Sequence, residues 1–569
     1  MRLLRNISLL FALTLATQLQ AQTWHVLYTT DVHGSIFPYN FVTEKPTNNS
    51  LSNIYSYIKS VRDTAENVIL LDNGDNLQGT PAVYYYNFVD TAATHIVPSV
   101  YNFMKYDAVV VGNHDIETTH AVYDRVFGQY EMPVLAANAV RTSDGAPYFT
   151  SSIILQRGEQ KIAVIGLITP HIPYWLPESY WSGMRFNDMI ESAQKWVGIV
   201  KATEKPDAVI GLFHAGYDYT YGGQTADTYR NENASQLVAE RVDGFDAILI
   251  GHDHKLYNKV VKSPSGKDVC ILDAGVGARN IGHLTINFGE DGTVKCSAEI
   301  VPAATQPQSE EFDDMFEEQF DDIEQFTKDV VCVSKQDIYA YESLFGNAAF
   351  TDMVHEAMLR HTGAEISISA PLLINATIEK GDISIGEMFG VYKYENLLNV
   401  IELTGEEIKN YLEFSYDLWV SNPDSTGHLL KIDNKNRLVN NYYNFDSAMG
   451  IRYTVNPYNS KGYRVEIESM ADGTPFDPKR KYTVAMNSYR CNGGGGHLEK
   501  GAGIDHDKLK ERIVKTFDSD LRSIIIKDWQ AAKEIDPKAG NNWHFAPEEK
   551  LKQIIEQDKK LFEPKTLKQ

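Results

Sequence analysis

Five short apolar segments in the N-terminal half of the chain each run directly into polar residues. Asn, His and Asp side chains resist burial unless they are bonded, so a strand that stops at them needs a binding partner there. One such residue after a strand is usually a turn or a helix cap, but the same chemistry at five strand ends indicates one shared site. The segments are HVLYTT, NVILLD, DAVVVG, DAVIGLF and DAILIG, and the residues after them include Asp31, His33, Asp75, Asn113, His114, Asp115, His214, His252, Asp253 and His254.

The elements around these residues predict how they meet. Over residues 24–301, β-rich apolar runs alternate with longer amphipathic stretches, which is typical of an α/β layer fold. In open α/β sheets the carboxyl ends of the strands form the ligand crevice, so residues distant in sequence meet at one edge. Imidazoles, carboxylates and one amide oxygen suit a pair of divalent transition metal ions, and we expect Asp75 to bridge them.

The length and charge of the chain limit its function. Its 569 residues exceed a single core, and we expect two domains. A formal net charge of -23 argues against binding of nucleic-acid polymers, because that affinity comes from Lys and Arg displacing counterions. A small anion can still bind where metal ions reverse the local field, so the expected partner is a small molecule.

The N-terminus and the cysteines indicate the compartment. Two arginines precede an apolar stretch over residues 7–16 and then Ala21, the layout of a signal peptide cleaved after residue 21. The apolar run is shorter than the ~20 residues of a membrane span, so we expect a periplasmic or secreted protein without a stable membrane anchor. The four cysteines lack CxxC spacing, and Cys270 and Cys296, in neighbouring strand-like segments, either pair or stay free.

The domain organisation follows from changes of pattern. We predict a signal peptide at 1–21, a first domain at 24–305, a linker helix at 306–332, a second domain of α+β character at 333–540 and a charged tail at 541–569. Aromatic residues at helical spacing among acids make the linker an amphipathic, solvent-facing helix. The tail holds one helical stretch at 547–561 and either packs on the surface or frays.

The motifs resemble a known family. DVH, NGDN, GNHD, the later His214 and GHDH, in this order, resemble the five-block signature of the calcineurin-like metallophosphoesterases. NSYRCNGGGG in the second domain extends the likeness to the secreted 5′-nucleotidases and 2′,3′-cyclic-nucleotide 2′-phosphodiesterases. The resemblance implies a four-layer N-terminal domain, a β-sandwich flanked by helices, followed by a C-terminal α+β domain that binds nucleotides.

The resemblance also implies roles for individual residues. One metal ion would be held by Asp31, His33, Asp75 and His254, and the other by Asp75, Asn113, His214 and His252. Mn, Zn, Co and Fe all accept this ligand mixture. His114 would stabilise charge on the phosphoryl group and protonate the leaving oxygen. Where the 5′-nucleotidases carry an Asp three residues after this His, the chain has Glu117, and either Glu117 or Asp115 would orient His114.

In the resembling family the C-terminal domain stacks the base between two aromatic rings. Tyr489 lies at one such position, and Phe445, or alternatively Tyr443, at the other. Base stacking contributes ~1 to 3 kcal/mol per base. The remaining expected substrate contacts are Asn487, Arg490, Gly493 and Gly494, where glycine lets the backbone approach the ligand.

Smaller motifs separate the possible substrates. The 5′-nucleotidases grip phosphate with arginines of the second domain, yet residues 368–398 contain no arginine. SAP at 369–371 and NSYR resemble the branch of cyclic phosphodiesterases and 3′-nucleotidases. We therefore expect a monomeric hydrolase that opens 2′,3′-cyclic nucleotides and has 3′-nucleotidase activity, through water that two metal ions activate. A 5′-nucleotidase, and a catalytically inactive secreted nucleotide-binding protein, are the alternatives.

Overall fold

A computed structural model describes residues 23–158, 160–289, 291–392 and 395–564; the expected signal peptide at 1–21 lies outside the described residues. Two six-stranded sheets form the N-terminal domain. The strands of the first are, in spatial order, Val294–Pro302, Asn280–Phe288, Thr23–Thr29, Val68–Asp72, Ala108–Val110 and Val134–Leu135. Those of the second are Leu256–Lys262, Asp268–Ala274, Ala247–Ile250, Ala208–His214, Gln160–Ile168 and Ser152–Arg157.

Four layers result from the burial of both faces of each sheet. Between the sheets, alternate side chains of the central strands form one core, with Tyr28, Ile69, Val110, Leu212 and Leu249 among its members. Helices cover the outer faces, Leu51–Arg62 and Ile96–Met104 on the first sheet and Met189–Thr203 and Ser235–Arg241 on the second. The predicted β-sandwich flanked by helices is confirmed. Since the central strands run parallel, their carboxyl ends lie at one edge.

The predicted linker helix is divided into two amphipathic helices that are exposed on one side. It consists of two helices, Glu310–Met315 and Glu317–Lys328, separated at Phe316, whose φ of -115° and ψ of 21° are not helical. Phe312, Phe316 and Ile323 are buried in the core of the N-terminal domain, whereas most of the acidic residues and Met315 face solvent. The next strand begins at Val330, inside the predicted linker.

The C-terminal domain has α+β character, as predicted. Its five-stranded sheet contains, in spatial order, Ser447–Met449, Ile366–Ser369, Lys481–Asn487, Leu397–Thr404 and Ile513–Asp520. The longer helices that pack on it are Ala349–Thr362, Gly405–Trp419 and Leu521–Ala532. Two three-stranded sheets and one two-stranded sheet accompany it. They are Gly381–Ser384 with Val330–Ser334 and Glu534–Ile535, Val465–Met470 with Ile451–Val455 and Trp543–Phe545, and Ile338–Tyr339 with Thr377–Ile378.

The charged tail belongs to this second domain, not to a separate segment after residue 540. Its strand Trp543–Phe545 pairs with Ile451–Val455, and its helix Glu548–Phe562 buries Leu551. Asp558 is fully buried and accepts hydrogen bonds from the backbone N–H groups of Leu429 and Leu430 at 2.8 and 3.1 Å. The helix agrees with the stretch predicted at 547–561, for which packing and fraying were both left open. The sequence could not decide between them, because a buried carboxylate that accepts from the backbone looks, in sequence, like one more solvated charge.

Two further predictions concern the cysteines and the membrane. All four cysteines are unbridged, and the Cys270 thiol lies 3.4 Å from the backbone oxygen of Cys296. Within the part of the chain that the structure describes, no helix is both long and apolar enough to cross a membrane.

Candidate metal centre

The polar residues after the five strands converge at the carboxyl edge of the two sheets. Five of the seven expected ligands have a left-handed backbone, a conformation that non-glycine residues rarely adopt and that concentrates at functional sites. Their φ angles are 49° for Asp31, 50° for His33, 60° for Asp75, 81° for His252 and 57° for His254. These sharp turns direct the side chains back over the ends of their own strands, into one crevice.

All seven expected ligands are brought together, in two groups that share Asp75. The ligand atoms within each group lie within 4.8 Å of one another; the groups are Asp31, His33, Asp75 and His254, and Asp75, His214 and His252. The amide oxygen of Asn113 joins the second group, because it lies 3.0 Å from Nε2 of His214 and 2.7 Å from Nδ1 of His252. The shared position of Asp75 is the one expected of a bridging carboxylate.

The environment of Asp75 fits a divalent cation. Its Oδ2 atom is buried without a hydrogen-bond partner, although Nε2 of His214 lies 3.2 Å away and Nε2 of His33 3.9 Å away. An unpartnered carboxylate oxygen inside a protein is costly, and a cation would satisfy it. The imidazole, carboxylate and amide donors around it match divalent transition metals.

Backbone carbonyls determine which nitrogen of two imidazoles faces the centre. Nδ1 of His33 lies 2.7 Å from the oxygen of Gln78, and Nδ1 of His214 lies 2.6 Å from the oxygen of Asn73. Because a carbonyl oxygen only accepts, each Nδ1 carries a proton and each Nε2 faces the centre, where its lone pair would bind an ion. His252 is turned the other way, with Nε2 3.2 Å from Oε1 of Glu232, a residue that the sequence analysis missed.

Burial and neighbouring charges shift the pKa values of the ligand residues in opposite directions. Burial raises the pKa of Asp31, but the hydrogen bond from His254 and the charge of His214 lower it to about 2. Burial lowers the pKa of His33 to about 4, which keeps this imidazole neutral. Burial also lowers the pKa of His214, but the Asp75 carboxylate outweighs it and raises the pKa to about 10. A bound cation therefore takes the place of the His214 proton.

Glu117, and not Asp115, contacts His114. Oε2 of Glu117 lies 2.7 Å from Nδ1 of His114, whose ring centroid is 5.3 Å from that of His33. The expectation that Asp115 acts in catalysis needs correction, because its carboxylate is buried and committed to the backbone. It accepts hydrogen bonds at 2.8 to 3.0 Å from the N–H groups of Gly112, Asp75, Asn76 and Leu77. Asp115 thus braces the loop that carries Asp75.

One of the two expected base-stacking residues is buried in the domain core. Tyr489 is 36% exposed and available to a ligand. Phe445, however, is fully buried in the domain core, where its ring stacks on Trp419 at 5.5 Å. The alternative, Tyr443, lies in the 3₁₀ turn Tyr442–Asn444 directly before it, where it is half-buried against a neighbouring core and more accessible than Phe445.

The other expected substrate contacts are made within the protein, where these residues stabilise the segment around Tyr489. Arg490 is buried, with Nε 2.8 Å from Oδ2 of Asp446 and Nη1 2.6 Å from the oxygen of Gly494. Asn487 caps the short helix Ser488–Cys491 by accepting from the N–H of Arg490 at 2.8 Å. A Cβ atom on Gly494 would lie 2.5 Å from the Tyr489 ring, and Gly493 has a φ of 97°, so both positions need glycine.

The two domains meet beside the metal centre. Nδ2 of Asn492 donates to the backbone oxygen of Trp175 at 2.8 Å, and the Trp175 ring stacks on His252 with 5.4 Å between centroids. Nδ2 of Asn396 lies 3.5 Å from Oε1 of Glu117. The second domain therefore contacts the first next to His252 and Glu117.

Two family models match the chain. The model of the calcineurin-like phosphoesterases matches residues 25–256, and that of the 5′-nucleotidase C-terminal domain matches residues 327–500. Together they span both domains described above.

Several characterised proteins are similar over most of the chain. The trifunctional nucleotide phosphoesterase protein of Bacillus subtilis is 26% identical over 92% of this chain, which spans only 39% of that longer protein. The 2′,3′-cyclic-nucleotide 2′-phosphodiesterase/3′-nucleotidase of Haemophilus influenzae is 24% identical over 92% of this chain and 87% of its own. Human 5′-nucleotidase is 22% identical over 91% and 92% of the two chains.

Solved structures share the fold. A Staphylococcus aureus protein solved in complex with α-ketoglutarate superposes with a TM-score of 0.76 at 21% identity, covering 92% of this chain and 100% of that one. The 5′-nucleotidase precursor of Thermus thermophilus gives a TM-score of 0.62 at 22% identity, covering 92% and 99%.

Substitutions at the two groups of ligands should change the number of bound ions differently. We expect His254→Ala to lose one ion and Asp75→Asn to bind neither ion tightly, because Asp75 belongs to both groups. Titration calorimetry of the metal-stripped chain with Mn²⁺ measures this, with the exposed His544→Ala as the control that keeps two ions. Retention of one ion at full affinity by Asp75→Asn would show that Asp75 is not shared.

Proposed function

This chain belongs to the calcineurin-like phosphoesterases that carry a 5′-nucleotidase C-terminal domain, and is a phosphoric ester hydrolase; we propose that it opens 2′,3′-cyclic nucleotides and removes the resulting 3′-phosphate. The observation that carries the proposal is the convergence of seven ligand side chains beside the His114 and Glu117 pair. Relatives that match the chain over most of its length are named for nucleotide phosphate esters, which supports the nucleotide as substrate.

The cyclic and 3′-phosphate preference rests on smaller features. Residues 368–398 lack the arginines with which the resembling 5′-nucleotidases hold phosphate, and Arg490 is committed to Asp446. The SAP and NSYR segments and the Haemophilus influenzae relative favour the cyclic branch. A 5′-nucleotidase is the second candidate, favoured by the similarity to the human enzyme of that name over nine tenths of both chains.

The proposed chemistry divides between bound ions and the chain's own residues. When bound, two divalent ions supply positive charge to the phosphoryl oxygens and lower the pKa of a water. Asp31, His33, Asp75 and His254 would hold one ion, and Asp75, Asn113, His214 and His252 the other. Glu117 accepts a hydrogen bond from Nδ1–H of His114, which stabilises the imidazolium and leaves Nε2–H to donate its proton to the departing oxygen.

Tyr489 and Tyr443 are the proposed pair of rings for the base. Arg490 contacts both, because it donates to the backbone oxygen of Tyr443 at 2.9 Å and its guanidinium carbon lies 5.6 Å from the centroid of the Tyr489 ring. Burial raises the pKa of the Tyr443 hydroxyl, and the neighbouring Tyr489 adds to the effect. Two aromatic faces within reach of each other can hold a flat base by stacking.

We also propose that the chain is exported from the cytoplasm. The signal-like N-terminus supports a periplasmic or secreted location, where nucleotides from outside the cell would be the substrates. Action as a monomer stays a prediction.

Parallel assays on three substrates test the function. We expect kcat/KM for 2′,3′-cyclic AMP and 3′-AMP to exceed that for 5′-AMP by at least about tenfold, or about 1.4 kcal/mol of transition-state binding. A chelator should abolish each reaction, and added Mn²⁺ or Zn²⁺ should restore it. Preference for 5′-AMP would identify a 5′-nucleotidase, and tight nucleotide binding without turnover would identify a binding protein.

Substitution of the two acidic residues near His114 distinguishes the one that orients His114 from the one that stabilises the loop. We expect Glu117→Gln to lower kcat about 100-fold at unchanged melting temperature, since only the proton transfer is affected. Asp115→Asn should instead lower the free energy of unfolding by about 1 to 3 kcal/mol, because buried N–H groups lose their acceptor. The exposed Glu131→Gln serves as the control. Full kcat in Glu117→Gln would remove Glu117 from the mechanism.

Tyr443 should affect substrate binding through its ring. Tyr443→Ala is expected to raise KM for the cyclic nucleotide by about 5- to 150-fold, which corresponds to the ~1 to 3 kcal/mol of one stacked base. Tyr443→Phe keeps the ring and should keep KM. If both variants kept the wild-type KM while Tyr489→Ala raised it, the second ring would have to be sought elsewhere.

A further inference from the structure

The outer nitrogen of His252 meets a charged acceptor, whereas those of His33 and His214 meet neutral ones. The outer nitrogens of His33 and His214 donate to backbone carbonyls. Nε2 of His252 lies instead 3.2 Å from Oε1 of Glu232, and Nδ1 points at the Asn113 oxygen 2.7 Å away. Since a deprotonated carboxylate only accepts, the contact places the proton on Nε2 and leaves the Nδ1 lone pair for the centre.

Glu232 is held in place by its own backbone contacts. Its N–H donates to Oε1 of Gln224 at 2.9 Å, and its carbonyl accepts from Oγ1 of Thr169 at 3.1 Å. The two flanking asparagines are buried, and their side chains bond to the loop backbone at Tyr219 and Gly216. The carboxylate itself is 12% exposed, so solvent screens its charge only weakly.

The rest of the His252 environment keeps the ring against this carboxylate. The Trp175 ring stacks on its face with an interplanar angle of 30°, and the second Glu232 oxygen lies 3.6 Å from Nδ1 of His171. The imidazole is therefore contacted on its two nitrogens and on one face. Neither Trp175 nor His171 offers an alternative acceptor for the Nε2 proton, because each contacts a different atom.

We propose that Glu232 is a positioning residue for the second metal ion. It holds His252 in the tautomer and orientation that direct Nδ1 to the ion shared by Asp75, Asn113 and His214, and its negative charge makes the ring a stronger donor. Carboxylates in this relation to a ligand histidine typically raise metal affinity by about 10- to 100-fold. Because Glu232 contacts no ligand of the first group, its effect is confined to one ion. The inference rests on the metal centre of the proposed function.

Two substitutions in the full-length chain test this role. Glu232→Gln keeps an acceptor oxygen without the charge and should lower the affinity for one of the two Mn²⁺ ions about tenfold. Glu232→Ala removes the acceptor and should lower that affinity about 100-fold. Titration calorimetry of the metal-stripped protein measures both ions. The affinity of the other ion and the melting temperature of the metal-free protein should be unchanged, and excess Mn²⁺ should restore activity. The exposed Glu240→Gln on the neighbouring helix is the matched control.

The His254→Ala background identifies which ion responds. This variant is expected to keep only the second ion. Adding Glu232→Gln should therefore lower the affinity for that remaining ion by the same factor as in the wild-type background. Unchanged Mn²⁺ affinities in Glu232→Gln and Glu232→Ala would overturn the inference, as would equal weakening of both ions with a lower melting temperature of the metal-free protein. Two ions in the wild type with no effect at Glu232 would refute Glu232 alone, whereas fewer than two ions in the wild type would refute the metal centre as well.

Discussion

The structure depends on one buried carboxylate, that of Asp75. One of its oxygens accepts the N–H of His114 at 2.8 Å, and the other is buried among the imidazoles of both ligand groups without a hydrogen bond. Every neighbouring feature serves its position: the left-handed turn at Asp75 itself, the brace from Asp115, and the carbonyls that orient His33 and His214. A negative oxygen in this place needs a positive partner, and that requirement links the sheet edge to its chemistry.

In the proposed function the second domain binds the substrate, and the first domain holds the metal centre. Its contribution beside the centre is a tyrosine on a short helix whose glycines, arginine and asparagine all support the ring. The buried pair of Arg490 and Asp446 stabilises this segment from below, and the tail helix closes the domain on the far side through Asp558. A rigid exposed ring loses little conformational entropy when a flat ligand stacks on it.

The sequence was most informative where strong local patterns meet. Apolar runs that stop at His, Asp and Asn predicted both the strands and the ligands, because burial and metal binding each leave a clear mark. It was undecided between Glu117 and Asp115, since both lie within reach of His114 along a helix and only the fold commits Asp115 to four N–H groups. The prediction for Phe445 was wrong, because the 3₁₀ turn before it leaves Phe445 buried and Tyr443 only half-buried. Glu232 was missed because NEN reads as an ordinary turn, and its partner lies 20 residues further along the chain.

The left-handed turns at the centre tie folding to ion binding. Strained backbone of this kind costs of order 1 to 3 kcal/mol per residue, and five such residues adjoin one crevice. Together they cost about 5 to 15 kcal/mol, which is comparable to the stability of a whole domain. Ion binding offsets this cost only in the native state, so the free energy of binding is also free energy of folding. Removal of bound ions should therefore lower the free energy of unfolding as well as stop the chemistry, because the same turns carry both.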